Sequence, residues 1–252
     1  MRMIVPRQKE FVSQRDRIIL ALDVDSADVA RELVTELGDS VGAFKIGLQL
    51  FTTAGPDFVR EVTGAGRRVF LDLKFHDIPN TVASAAVEAA RLGVWMLNVH
   101  ALGGREMMRR TVDAVSEASS REGVVKPKII AVTVLTSSET NELREVGIER
   151  EVPDEVLNLA RLTAKCGLDG VVASALEATP IKQAVGSDGF LVVTPGIRKT
   201  SETNDDQKRV MTPAEAVSNG SDFLVIGRPI TQAADKRAAI ESIINEIESA
   251  EI

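Results

Sequence analysis

A single α/β domain built as an eight-stranded (β/α)8 TIM barrel is predicted from three observations. Eight short apolar runs of 4–6 residues alternate with longer amphipathic stretches along the 252 residues. The runs are mostly continuous in their hydrophobicity, as parallel strands covered on both faces require. No Pro/Gly/Ser-rich linker, low-complexity tract or shift in composition divides the chain. In order, the predicted strands are 18–22, 43–46, 69–73, 95–99, 129–134, 170–173, 190–193 and 223–226. Between most of them lies a segment with helical periodicity. In 26–37, Ser26 is placed to cap the helix, Val29, Ala30, Leu33, Val34 and Leu37 form one apolar stripe, and Gly38 closes it. A doubly wound open sheet is the competing fold. It usually carries a glycine-rich turn after its first strand, and here that turn reads Asp23-Val24-Asp25-Ser26. The longest polar connection, 195–221, reads as a lid or binding loop.

Composition narrows the function. The 44% hydrophobic and 27% charged residues are those of an ordinary soluble globular chain. The lone Cys166 can form neither an internal disulfide nor a thiolate metal cage. It reads as a small core hydrophobe, and Met107 and Met108 as ordinary helix residues. Two histidines, His76 and His100, offer no pair at helical spacing, so no histidine-based metal site is expected. A net charge of −7 and 4% aromatics argue against a nucleic-acid partner, which needs a basic face or stacking platforms. No apolar run spans a membrane, and residues 1–16 lack the apolar core of a secretory signal. They read as an N-terminal extension to a catalytic barrel over 17–252, in a cytoplasmic protein.

Charged residues collect where the strands end. Asp23 follows strand 1, Lys45 ends strand 2, and Asp72 and Lys74 end strand 3 with Asp77 just beyond. Strand 4 ends at Asn98 and His100, and strand 5 runs into Thr136. Strand 7 leads into Arg198, and strand 8 into Gly227-Arg228. The C-terminal ends of barrel strands form the mouth in which these folds do chemistry. A period of two puts Asp72 and Lys74 on one side of their strand. A ring of Asp23, Lys45, Asp72 and Lys74 in one mouth is costly to desolvate and perturbs the pKa of each member, which points to a functional site. Arg198 and Arg228 together point to a phosphorylated small ligand, because a guanidinium matches phosphate and this is where barrels often hold one.

The decamer Asp72-Leu73-Lys74-Phe75-His76-Asp77-Ile78-Pro79-Asn80-Thr81 resembles the D-x-K-x-x-D-I-[PG]-N-T signature of the orotidine 5′-phosphate decarboxylase family. Six further segments resemble that family in order. They are Leu22-Asp23, Phe44-Lys45-Ile46-Gly47, Val134-Leu135-Thr136-Ser137, Thr194-Pro195-Gly196-Ile197-Arg198, Asp206-Gln207-Lys208-Arg209 and Ile226-Gly227-Arg228-Pro229-Ile230. The resemblance runs from about Arg17 to the C-terminus and is closest to the bacterial branch.

That resemblance implies conversion of orotidine 5′-monophosphate to uridine 5′-monophosphate and CO2, the last step of de novo pyrimidine nucleotide synthesis, with no metal or organic cofactor. By position it makes Lys74 the proton donor to C6 of the pyrimidine, flanked by Asp72 and Asp77. Lys45 and Asp23 contact the ribose and complete the charged network. Thr136 sits by the ligand, and Gln207, Arg228 and the Gly227 amide hold the phosphate, with Arg198 in the same cluster. It further implies a homodimer in which Asp77 and Thr81 are shared across the interface. Sugar-phosphate decarboxylases on the same barrel plan also carry D-x-K on strand 3, but they resemble this chain less. They hold Mg²⁺ with an acid at the end of strand 2, where Lys45 would repel a cation.

Overall fold

The structure, a computed structural model, describes residues 13–187, 189–197 and 211–250. Eight parallel strands close into one barrel in sequence order, β1 pairing with both β2 and β8. They are β1 (Ile18–Ala21), β2 (Ala43–Gly47), β3 (Val69–Phe75), β4 (Met96–His100), β5 (Lys128–Val132), β6 (Gly170–Val172), β7 (Leu191–Pro195) and β8 (Phe223–Ile226). The fold class is the one the sequence predicts, and each predicted strand overlaps its observed counterpart. A 3₁₀ turn, Gln14–Arg17, precedes β1 and packs against β1 and β8.

The helices between them are α1 (Ala27–Leu37), α2 (Leu48–Gly64), α3 (Pro79–Arg91), α4 (Gly104–Glu122), α5 (Thr140–Glu145), α6 (Val152–Lys165), α7 (Ala175–Val185), α8 (Pro213–Ser218), α9 (Arg228–Thr231) and α10 (Lys236–Ala250). The Ser26 side chain accepts a hydrogen bond from Val29 N, which fixes the start of α1. Ala30, Leu33, Val34 and Leu37 are buried along its inner face. Val29, expected on that stripe, is instead exposed. It lies one residue before Ala30, about 100° around the helix from the buried row.

α2 bends at Gly55, whose φ of 67° leaves the helical region just before Pro56. The predicted loop 195–221 needs correction at its C-terminal part, where α8 forms behind a Thr212 capping box with Glu215. Pro213 at the first helical position and that reciprocal cap outweigh the polar composition.

Two hydrophobic layers follow from the strand period. Ile18, Leu20 and Leu22 face outward and join the core beneath the helices. Ile19, Ala21, Ala43, Phe70, Met96, Ile130, Leu191, Val193, Phe223 and Val225 fill the lumen as a second cluster. Burying each large side chain there contributes about 1.5–3 kcal/mol. The lumen layer also sets the site. Continuing each inward row by two residues leads from Ala21 to Asp23, from Ala43 to Lys45, from Phe70 to Asp72, from Met96 to Asn98 and from Val225 to Gly227. The apolar plug ends, and the charged mouth begins, one inward step later on five strands.

Candidate active site

The charges at the mouth form a connected array. Lys45 Nζ donates to Asp23 Oδ1 at 2.9 Å and lies 3.4 Å from Asp72 Oδ2. Lys74 Nζ donates to Asp72 Oδ1 at 2.7 Å. Asp72 thus joins two ammonium groups through its two oxygens. Lys45 and Asp72 are both buried, at 8% exposure each, so solvent screens this pair only weakly. Burial pulls the Lys45 pKa down, but the carboxylates of Asp72 and Asp23 more than compensate and hold it above its ordinary value. Lys45 therefore stays charged at neutral pH.

Local backbone structure puts Lys74 where it is. In the β3–β4 ladder, Leu71 faces Leu97 but Phe75 faces Val99, so a bulge spans Asp72–Lys74. Lys74 carries φ of 50°, the one positive φ on a non-glycine among the described residues. Regular strand alternation would put Asp72 and Lys74 on one side; the bulge and left-handed turn achieve that placement instead. Opposite the bulge, Asn98 is 1% exposed and donates from Nδ2 to Asp72 Oδ1 at 2.7 Å. Its Oδ1 accepts from Lys74 N–H at 2.8 Å.

A cavity of about 440 Å³ opens above this array. Asp23, Lys45, Asp72, Lys74, Thr136, Gly227 and Arg228 all line it. Apolar walls come from Phe70, Val172, Ile197 and Pro229, which carry no charge to mark them in the sequence. Thr136 reaches the cavity from a turn beyond β5, which stops at Val132. Gly227 joins β8 to the short α9, and a Cβ there would lie 3.4 Å from that of Ala21. The cavity has charge on one side, apolar surface on another and an arginine at its β8 rim. It suits a ligand with a polar end and a flat apolar body.

Other expected site residues lie elsewhere. Asp77 and Thr81 are exposed on the rim and do not line the cavity of the single chain. Asp77 Oδ1 accepts from Ile78 N at 2.6 Å, while Ile78 itself is 67% exposed. Arg198 and Gln207 fall outside the described residues. His76 stacks on His100 with ring centroids 5.4 Å apart. Burial, then His76 and Lys74, push the His100 pKa down against the opposing pull of Asp72. Cys166, Met107 and Met108 are buried in the core. Among the described residues, no cluster of three or more His, Cys, Asp or Glu could hold a metal ion.

Similarity to known proteins covers nearly the whole chain. The family model described as "Orotidine 5'-phosphate decarboxylase / HUMPS family" matches residues 16–243. The orotidine 5′-phosphate decarboxylase of Geobacter metallireducens is 54% identical over 233 residues, covering 92% of this chain and 96% of the relative. The enzyme of that name from Legionella pneumophila strain Corby is 51% identical over 231 residues, 92% and 99% of the two chains. Among solved structures, the orotidine 5′-phosphate decarboxylase of Lactobacillus acidophilus superposes with a TM-score of 0.80 at 39% identity, covering 91% of this chain and 98% of its own. An uncharacterized conserved protein from Geobacillus kaustophilus has the same TM-score at 38% identity, covering 91% of this chain and 99% of its own.

Proposed function

Because the chain belongs to the orotidine 5′-phosphate decarboxylase / HUMPS family, we infer that it decarboxylates orotidine 5′-monophosphate to uridine 5′-monophosphate and CO2. It is a carbon–carbon lyase acting in pyrimidine nucleotide synthesis. The observation that carries this reading is the Asp23–Lys45–Asp72–Lys74 array under a cavity with Arg228 on its rim.

The chemistry asks for such an array. Breaking the C6–carboxylate bond releases CO2 and leaves an electron pair at C6 with no evident sink. An ammonium aimed at C6 stabilises that pair through preorganised electrostatics. The Lys74 ammonium then gives its proton to C6, becomes a neutral amine and is reprotonated from solvent. Asp72, held between Lys74 and Lys45, keeps the donor oriented. Asp23 and Lys45 take the ribose, and Thr136 lies by the ligand. Arg228, the Gly227 amide, Gln207 and Arg198 take the phosphate. The Lys45 ammonium stands between Asp23 and Asp72 and would repel a divalent cation from that pair, so the step is assigned to protein groups alone.

The same reading makes the enzyme a cytoplasmic homodimer, with 17–252 as catalytic barrel and 1–16 as extension. Support comes from the rim: Asp77 and Thr81 are exposed beside the exposed apolar Ile78, as expected of residues that complete a neighbour's site. Product analysis tests the activity. Orotidine 5′-monophosphate should yield uridine 5′-monophosphate and CO2 in equal amounts. Unchanged substrate with folded enzyme would overturn the assignment.

A further inference from the structure

Asn98 is buried in the mouth, and neither the charged-residue pattern nor the matched motifs assign it a task. Its amide orientation is settled by its neighbours. Oδ1 faces the Lys74 N–H at 2.8 Å and Nδ2 faces the Asp72 carboxylate at 2.7 Å, and a flip would set donor against donor and acceptor against acceptor. The Lys74 N–H needs this acceptor because the bulge removes it from the regular β3–β4 ladder. The Lys74 backbone also sits at φ of 50°, a conformation that persists only when its surroundings enforce it. Asp72 Oδ1 receives Lys74 Nζ and Asn98 Nδ2 together. One side chain therefore ties both ends of the Asp72–Lys74 pair.

We propose that Asn98 is a positioning residue for the decarboxylation: it locks the left-handed Lys74 backbone and fixes the Asp72 carboxylate, so that the Lys74 ammonium is aimed before substrate arrives. The proposal rests on the decarboxylase reading above. It predicts a defect in the chemical step with ligand binding spared, because Asn98 itself does not line the cavity.

Two variants test it. Asn98→Ala should lower kcat by about 10- to 100-fold, the loss expected when a hydrogen bond to a charged group is removed. Its KM and its Kd for uridine 5′-monophosphate should stay within about threefold of wild type, because uniform binding is untouched. Asn98→Asp distinguishes positioning from mere filling. A protonated carboxyl can still accept from Lys74 N–H and donate to Asp72, whereas an ionised one repels Asp72. The ratio of its kcat to that of wild type should therefore fall as pH rises through the new carboxyl's pKa, which burial and Asp72 raise against the opposing pull of the Lys74 and Lys45 ammonium groups. A wild-type kcat in Asn98→Ala would overturn the proposal, as would a kcat loss matched by lost nucleotide affinity. If Asn98→Ala does not fold, Asn98→Asp decides alone: a ratio independent of pH would overturn it. Failure of wild type to consume orotidine 5′-monophosphate would instead defeat the decarboxylase reading. A crystal structure of Asn98→Ala would then judge the positioning claim, and Lys74 unmoved on Asp72 at the same positive φ would contradict it.

Discussion

Asp72 is the residue through which the mouth is organised, since it accepts from Lys74 and Asn98 and faces Lys45 within one buried carboxylate. Removing one partner of such a set leaves charge uncompensated, which costs more than the pair's own net contribution. His100, one inward step beyond Asn98, gives a prediction about pH. Its folded pKa lies below the ordinary 6.5, through burial first and then His76 and Lys74. Between the two values the unfolded chain binds more protons, so His100's contribution is complete above about pH 6.5 and is lost as pH falls below it. His100→Gln should therefore show a shallower fall in Tm than wild type between about pH 7.5 and pH 5. Parallel Tm curves would contradict this. Sequence exposes the charges at this scale because they stand at strand ends. It hides Asn98's contacts, since a polar residue at a strand end does not reveal which neighbours it will meet across a bulge.

At the scale of elements, two features carry consequences. Gly170 in β6 pairs with Leu191 in β7, and a Cβ there would lie 2.3 Å from the Leu191 carbonyl oxygen. Gly170→Ala forces two strands of a closed barrel apart and should cost about 1–3 kcal/mol by overpacking. That lowers Tm by several degrees, at about 2–4 °C per kcal/mol for a chain of this size. An unchanged Tm would show that the sheet yields more easily than a closed barrel should. The β8–α9 junction is the second feature. If Arg228 holds the phosphate, Arg228→Ala should lower kcat/KM for orotidine 5′-monophosphate by about 10- to 100-fold. It should barely alter the slower turnover of the nucleoside lacking phosphate. Equal losses on both substrates would remove Arg228 from the phosphate site. The strands were legible from continuous apolar runs. α8 was not, because its short polar helix depends on the Thr212–Glu215 cap rather than on a hydrophobic stripe.

For the whole molecule, closure of eight strands explains why residues from Asp23 to Arg228 share one cavity. A barrel mouth gathers distant segments at one place, so ordered strand-end motifs in the sequence already imply a common site. Asp77 and Thr81 stand apart from that cavity, and the proposed homodimer assigns them to a neighbouring subunit's site. Mixing subunits tests this. A twofold dimer formed from Asp77→Ala and Lys74→Ala subunits has one site with both native groups, so random mixing should recover about one quarter of wild-type activity. No recovery beyond the parent homodimers would place Asp77 in its own subunit's function. The central claim, that Lys74 drives a decarboxylation by protein groups alone, is tested most directly by the loss of orotidine 5′-monophosphate absorbance in the presence of EDTA. Wild type should turn over undiminished by the chelator, and Lys74→Ala should lose about 10⁴-fold or more. Turnover that EDTA abolishes, or that survives in Lys74→Ala, would contradict the account.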